Sequence, residues 1–191
     1  GGYLPNSKVS YVTGDNFTGG YIATKHLLSL GRKKIGIITG GLEVLSAKDR
    51  YEGYIKALRE AGIKPDERLV VNGHFKEFEG YLAMMELLKH KPDGVFAGND
   101  LMAFGAIRAV KEAGLRIPGD LSVVGMDNIA QSELTEPPLT TVQYPIYSMG
   151  AFAAESIIIY LKENNGDGKN KNGKFKMKKI FDVSLVVRKS T

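Results

Sequence analysis

Two periodicities alternate along the chain. Compact, mostly apolar runs stand at residues 9–13 (VSYVT), 35–39 (IGIIT), 69–72 (LVVN), 94–98 (GVFAG), 121–125 (LSVVG) and 181–188 (FDVSLVVR). Short apolar runs bounded by turn residues read as strands buried on both faces. The segments between them carry apolar residues at helical spacing instead. Ile22, His26, Leu27 and Leu30 form one stripe, and Tyr51, Tyr54, Ile55 and Leu58 a second. Phe78, Tyr81 or Leu82, Met85 and Leu88 form a third, expected to face the core. Residues 101–113 and 148–162 (Phe152, Ser156, Ile159) complete the helical segments. Asp15-Asn16 and Asn99-Asp100 offer side-chain oxygens for N-caps, and Gly31, Gly62 and Gly114 suit left-handed C-caps. Residues 126–147 lack a period and hold Pro137, Pro138 and Pro145, so an irregular excursion with one short helix is expected there. Strand then helix, several times over, predicts an α/β fold with a parallel sheet and right-handed crossovers.

In such a fold the loops after the strands gather at one edge of the sheet. Five strand ends here lead into chemistry: Asp15-Asn16, Gly40 to Arg50, His74-Phe75, Asn99-Asp100 and Asp127-Asn128. Carboxylates and amides, an arginine and an aromatic suit a small polyhydroxylated ligand. Asp and Asn pair with hydroxyls, Arg donates a planar fork, and Phe covers an apolar sugar face. Competing readings exist. Asp15, Asn16, Asn99 and Asp100 could be N-caps, Arg50 could pair with Asp49 or Glu43 on the surface, and Phe75 could be core. Asp127 is harder to explain away, because no obvious helix begins directly after it to need a cap.

Composition narrows the class. The chain has 191 residues, enough for one domain or two small lobes, with 43% hydrophobic and 25% charged residues. It has no cysteine, which excludes disulfides, thiolate metal sites and a cysteine nucleophile. No apolar run approaches the roughly 18 residues of a membrane span. The start, GGYLPNSK, has neither a methionine nor the layout of a signal peptide, so a fragment or processed chain is expected. Net charge is +5 with a pI near 9.2. Seven lysines crowd between Lys162 and Lys179, and without that segment the chain is close to neutral. The run reads as a solvated, flexible loop over 166–179 rather than a phosphate-binding patch. His26, His74 and His90 lack metal-ligand spacing, and no P-loop, G-x-G-x-x-G or G-x-S-x-G appears. No nucleophile is paired with a base. Neither catalytic residues, nor a metal site, nor a cofactor is expected.

Several blocks in order carry a resemblance: DNFTGGYIATKHLLSLGRKKIGIITG, SAKDRYEGYIKALREAGI, FAGNDLMAFGAIRAVKEAGLRIPGDLSVVGMDN, EPPLTTV and VSLVVRKST. They cover nearly the whole chain, which resembles the effector-binding core of LacI/GalR-family transcriptional repressors. Periplasmic sugar-binding proteins share that type I periplasmic-binding-protein-like fold of two lobes around a ligand cleft. The resemblance implies ligand contacts at Asp127, Arg50, Asn99, Ser46, Phe75 and Tyr144, with Asp15 a weaker match. It implies a small-molecule effector, a sugar or sugar derivative, a homodimer, and a cytoplasmic regulator that is not an enzyme. Partner contact would fall on the helix over 101–113 and on residues 129–136. Operator DNA would be reached only through a helix-turn-helix domain, which this sequence does not contain. Residues 1–31 and 143–165 would form a partial N-terminal lobe, and 32–142 with 180–191 a complete C-terminal lobe. Two positions depart from the family pattern: Met126 replaces a more usual aromatic, and Val44 stands where a polar residue is common. The alternative implied by the same fold is a solute-binding protein of a sugar transporter, working without DNA.

Overall fold

The computed structural model describes residues 9–165 and 177–191. The expected flexible loop at 166–179 lies for the most part outside the described residues. In chain order the elements are β1 (Tyr11–Gly14), α1 (Asn16–Ser29), β2 (Ile35–Thr39), α2 (Leu45–Glu60), β3 (Val70–Asn72), α3 (Glu77–Leu88), β4 (Gly94–Ala97) and α4 (Asp100–Glu112). There follow β5 (Ser122–Asp127), β6 (Thr140–Gln143), α5 (Ile146–Asn165), β7 (Lys178–Phe181) and β8 (Ser184–Val186). Six strands form one sheet in the order β3-β2-β4-β5-β6-β8. All neighbours in it are parallel except β6 and β8, which are antiparallel. A separate two-stranded sheet pairs β1 with β7 in parallel.

Successive strand residues face opposite sides of a sheet. Ile38, Val95, Ala97 and Val123 therefore share a core with α3 and α4, while Ile35, Ile37, Phe96, Val124 and Met126 share one with α1 and α2. Burial on both faces is why these strands read as continuous apolar runs. Each helix pair crosses backbone to backbone. A Cβ on Gly53 would lie 2.1 Å from the Phe17 carbonyl oxygen, and one on Gly105 would lie 2.0 Å from that of Glu77.

Four expectations are corrected. The third apolar stripe divides: Phe78, Leu82 and Met85 are exposed, while Tyr81 and Leu88 pack against the core that Gly80, Ala83, Met84 and Leu87 face. Gly80 sets which side turns inward, because α3 approaches the α4 backbone there: a Cβ on Gly80 would lie 2.6 Å from Met102. The last apolar run is two strands, since the chain leaves β7 at Phe181 and joins the other sheet at Ser184. Within 126–147 the short helix is a 3-10 turn at Ala130–Glu133, and a strand, β6, follows it. The helix grouped with residues 1–31 packs elsewhere than expected: Ala23 and Leu27 of α1 are buried with Ile35, Tyr54 and Phe96, in the body of the six-stranded sheet.

Candidate functional site

The strand order sets the place. From β2 the chain steps out to β3 and then returns past β2 to β4. Such a reversal opens a crevice between the carboxyl ends of the two central strands, where open α/β sheets bind ligands. Arg50, in the second turn of α2, enters from one side and is only 8% exposed. Its Nε donates to Asn16 Oδ1 at 2.9 Å, its Nη1 to the Gly98 carbonyl oxygen, and its Nη2 to the Tyr144 hydroxyl at 2.8 Å. The Tyr144 hydroxyl donates to the same Asn16 Oδ1 at 2.6 Å, and Asn16 Nδ2 donates to the Gly14 carbonyl oxygen at 3.1 Å. The closed ring of Arg50, Asn16 and Tyr144 thus ties α2, α1 and the segment after β6 together. Burial pushes the Tyr144 phenol up to about 12, against the pull of Arg50, so it stays a neutral donor at physiological pH.

Two aromatic rings flank the guanidinium. The centroids of Phe75 and Tyr144 each lie 5.9 Å from its central carbon, within cation–π range. Phe75 is presented by a strained turn after β3, with φ of 50° at His74 and 59° at Phe75. Asn72 Oδ1 accepts from the His74 amide at 2.9 Å and Asn99 Nδ2 donates to the Phe75 carbonyl oxygen at 3.2 Å, which holds that turn. The Phe75 ring lies against Gly40, where a Cβ would come within 2.0 Å of it.

Asp127 ends β5 with φ of 127°, and Asn128 follows at 53°. Among the described residues no donor reaches the Asp127 carboxylate. Burial pushes its carboxyl up to about 6; Arg50 pulls it down and Asp100 pushes it further up. A recess of about 360 Å³ opens beside it, lined by Asn128, Gln143, Tyr144 and Pro145 among others. A wider groove of about 1180 Å³ runs along the outside of α2, past Tyr51, Ile55, Arg59 and Lys64. Its walls are charged side chains of α2 and the loop after it, among them Glu52, Lys56 and Glu60, and it includes none of the residues at the strand ends.

The structure therefore gathers Arg50, Phe75 and Tyr144, with Asn99 one hydrogen bond behind Phe75 and Asp127 within electrostatic reach of Arg50. Asn99 is also the N-cap of α4, accepting from the Met102 amide at 2.9 Å. Ser46 is buried in the first turn of α2. Asp15 is the N-cap of α1: its carboxylate accepts from the Thr18 amide at 2.9 Å and the Thr18 hydroxyl at 2.7 Å. Asn16 is the residue whose role sequence reasoning missed. The available signal was the pair itself, since only one of two adjacent polar residues can occupy an N-cap. No group of three His, Asp or Glu residues that could hold a metal occurs among the described residues.

With this geometry in view, comparison with known proteins is informative. Residues 24–191 match the periplasmic binding protein-like domain family. The chain is similar to the HTH-type transcriptional repressor PurR of Pasteurella multocida (strain Pm70), at 43% identity over 84% of this chain and 48% of that protein. PurR of Haemophilus influenzae (strain PittEE) is 42% identical over 81% of this chain and 46% of its own length. The chain spans about half the length of these curated relatives. Among solved structures, the transcriptional regulator CelR in complex with cellobiose superposes with a TM-score of 0.88 at 35% identity, covering 98% of this chain and 56% of that one. A LacI family transcriptional regulator from Enterococcus faecium with bound ribose gives 0.82 at 32% identity, covering 98% and 67%.

Proposed function

The chain belongs to the periplasmic-binding-protein-like family, as a LacI/GalR-type effector-binding domain of a transcriptional regulator, and from that premise we propose that it binds a sugar or sugar derivative at the crevice between β2 and β4. The Asp127 carboxylate carries this reading. It is partly buried, unpartnered among the described residues, and placed by a strained strand end beside a recess. A carboxylate so placed asks for hydroxyl donors, and hydrogen bonds to a charged group are the strong ones. Arg50 supplies a fork, Phe75 an apolar face, and Tyr144 a neutral hydroxyl. Asn99 supports Phe75 and can contact the ligand with its second amide proton, while Ser46 and Asp15 stand at the edge of the set. The sugars in the CelR and E. faecium complexes, cellobiose and ribose, are the first to test.

By packing, the two-stranded sheet with α5 forms one lobe and the six-stranded body with α1 the other. Tyr144, on the segment that leads from β6 to α5, hydrogen-bonds to Asn16 of α1, so a ligand that engages Arg50 and Tyr144 would act where the chain passes between the lobes. The angle between the lobes would set the spacing of two DNA-binding heads, in a helix-turn-helix part of the regulator outside this chain. Coupling of this kind is reciprocal: effector favours one arrangement and operator the other. A homodimer fits the outer side of α3 and α4, where Phe78 is 60% exposed and Leu82, Met85 and Leu101 are also uncovered, with Leu134 after the 3-10 turn exposed too. Such a regulator would work in the cytoplasm, without catalysis or a cofactor.

Titration calorimetry with cellobiose and D-ribose, on this chain and on Asp127→Ala, tests the reading. Binding by the parent and loss of it in the variant are expected; equal affinity in the two removes Asp127 from the site. A bound sugar at 100 times its Kd should also raise unfolding free energy by about 2.7 kcal/mol.

A further inference from the structure

Asp100 opens α4 but does not cap it; Asn99 does. Its residue exposure is 0%. One carboxylate oxygen accepts from the Thr141 hydroxyl at 2.6 Å. The other accepts from the Ser132 hydroxyl at 2.7 Å and the Ile129 amide at 3.0 Å. Thr141 Oγ1 in turn accepts from the Asn128 amide at 3.3 Å. Room for the carboxylate comes from Gly125, where a Cβ would lie 2.3 Å from Asp100 Oδ1. Arg188 holds the other side, donating to Asn128 Oδ1 at 2.9 Å and to the Leu139 carbonyl oxygen at 2.9 Å. Two of these bonds land on Asn128 of the left-handed pair Asp127-Asn128, and the Ile129 bond lands directly behind it. A non-glycine pair in that conformation persists only where its surroundings hold it.

We infer that Asp100 is a positioning residue for Asp127: by clamping Ile129, Ser132 and Thr141 to the start of α4, it fixes the backbone reversal that presents the Asp127 carboxylate at the recess. The inference rests on the reading of Asp127 as the ligand anchor. The Asp100 charge also pushes the Asp127 carboxyl up through space, so the two groups are close. The groups facing Asp127 are Arg50 from α2, Asp100 from α4 and Tyr144 after β6.

The test needs no ligand. Asp100→Asn keeps the shape but turns one acceptor into a donor. Turned towards Ile129, that donor meets an amide N–H, which cannot rotate away; turned towards Thr141, it reverses that bond, so the hydroxyl accepts where it had donated. Carbon-13 titration of the Asp127 carboxyl should give a midpoint near 6 in the parent and a lower one in the variant. Amide exchange at Asn128 and Ile129 should quicken about tenfold or more, with Ile38 and Val95 in the sheet centre unchanged. An unmoved Asp127 midpoint with unmoved exchange at Ile129 overturns the proposal. So does faster exchange spread evenly over the sheet, the pattern expected of a general core defect such as Leu87→Ala. If Asp100→Asn fails to fold, Thr141→Val and Thr141→Ser serve instead: the valine should free Asn128 and the serine restore it, and equal exchange in both overturns the proposal. Sugar binding separates the two ideas. Asp127→Ala that still binds cellobiose or D-ribose sinks the anchor reading, whereas the carboxyl titration and exchange data judge Asp100 alone.

Discussion

α1 and α2 cross on one face of the six-stranded sheet as α3 and α4 cross on the other, each pair through a glycine set against its partner's backbone. The likeness extends to a polar tie. Tyr21 of α1 donates to Glu60 near the end of α2 at 2.7 Å, and Tyr81 of α3 to Glu112 near the end of α4 at 2.7 Å. Outside, the two layers part company. Ion pairs stand on both, Lys56–Glu60 at 2.7 Å and Lys48–Glu52 at 3.8 Å on the first and Arg108–Glu112 at 3.5 Å on the second, so the difference is apolar. The α3–α4 layer shows Phe78, Leu82, Met85 and Leu101 to solvent. Folding needs the shared interior, so the exposed apolar surface answers to something besides folding. The layers also differ in what they carry to the cleft: the first brings Arg50 and Asn16, the second Asn99 and the buried Asp100.

The largest expected effect tests the likeness. Gly53→Ala and Gly105→Ala should each cost about 3 kcal/mol or more, because backbone at 2.0–2.1 Å cannot yield as a side chain can. Urea unfolding measures it, and a cost under 1 kcal/mol in either would mean the crossings are loose. The next tests the difference. Leu82→Glu should weaken self-association roughly a hundredfold by sedimentation equilibrium, while moving monomer stability by less than about 0.5 kcal/mol. Unchanged association would free the outer face of α3 from a partner role.

A smaller effect concerns the charge that Arg50 meets across the cleft. Asp127 titrates near 6 when folded against 3.8 ordinarily, so the folded state holds a proton that the unfolded chain releases across that window. Its contribution therefore favours folding most below pH 4 and declines as pH rises through 6. Asp127→Asn should then stabilise the chain by about 1–2 kcal/mol at pH 7, after allowing for screening, with the gain gone by pH 4. A variant less stable than its parent at pH 7 would mean that Arg50 outweighs burial. The smallest is Lys56→Ala, which should barely move the unfolding midpoint, since exposed ion pairs at this spacing contribute little; thermal unfolding at low and high salt would show it.

The mistake at α3 shows where sequence patterning runs out. That helix is apolar on two sides, and periodicity cannot rank them. Phe78, Leu82 and Met85 looked like the core stripe, but α4 crosses closest at Gly80, which turns Ala83, Met84 and Leu87 inward instead. The run at 181–188 misled for a related reason: one apolar stretch can feed two sheets when the chain turns between them at Asp182-Val183. The polar pairs were found, but not the labour within them. Asp15 caps and Asn16 bonds Arg50, while Asn99 caps and Asp100 clamps the far loop.

By itself the sequence determined the alternation of buried strands and helices, the parallel α/β class, and which residue types stand at the strand ends. All of these depend on neighbours within a few positions, where spacing and capping chemistry are local. The tertiary structure alone decided which helix faces turn inward, that Asp127 lacks a hydrogen-bond partner among the described residues while Asp100 has three, and that Asn16 meets Tyr144. Those outcomes depend on crossings and contacts between residues tens of positions apart, which no local pattern can encode.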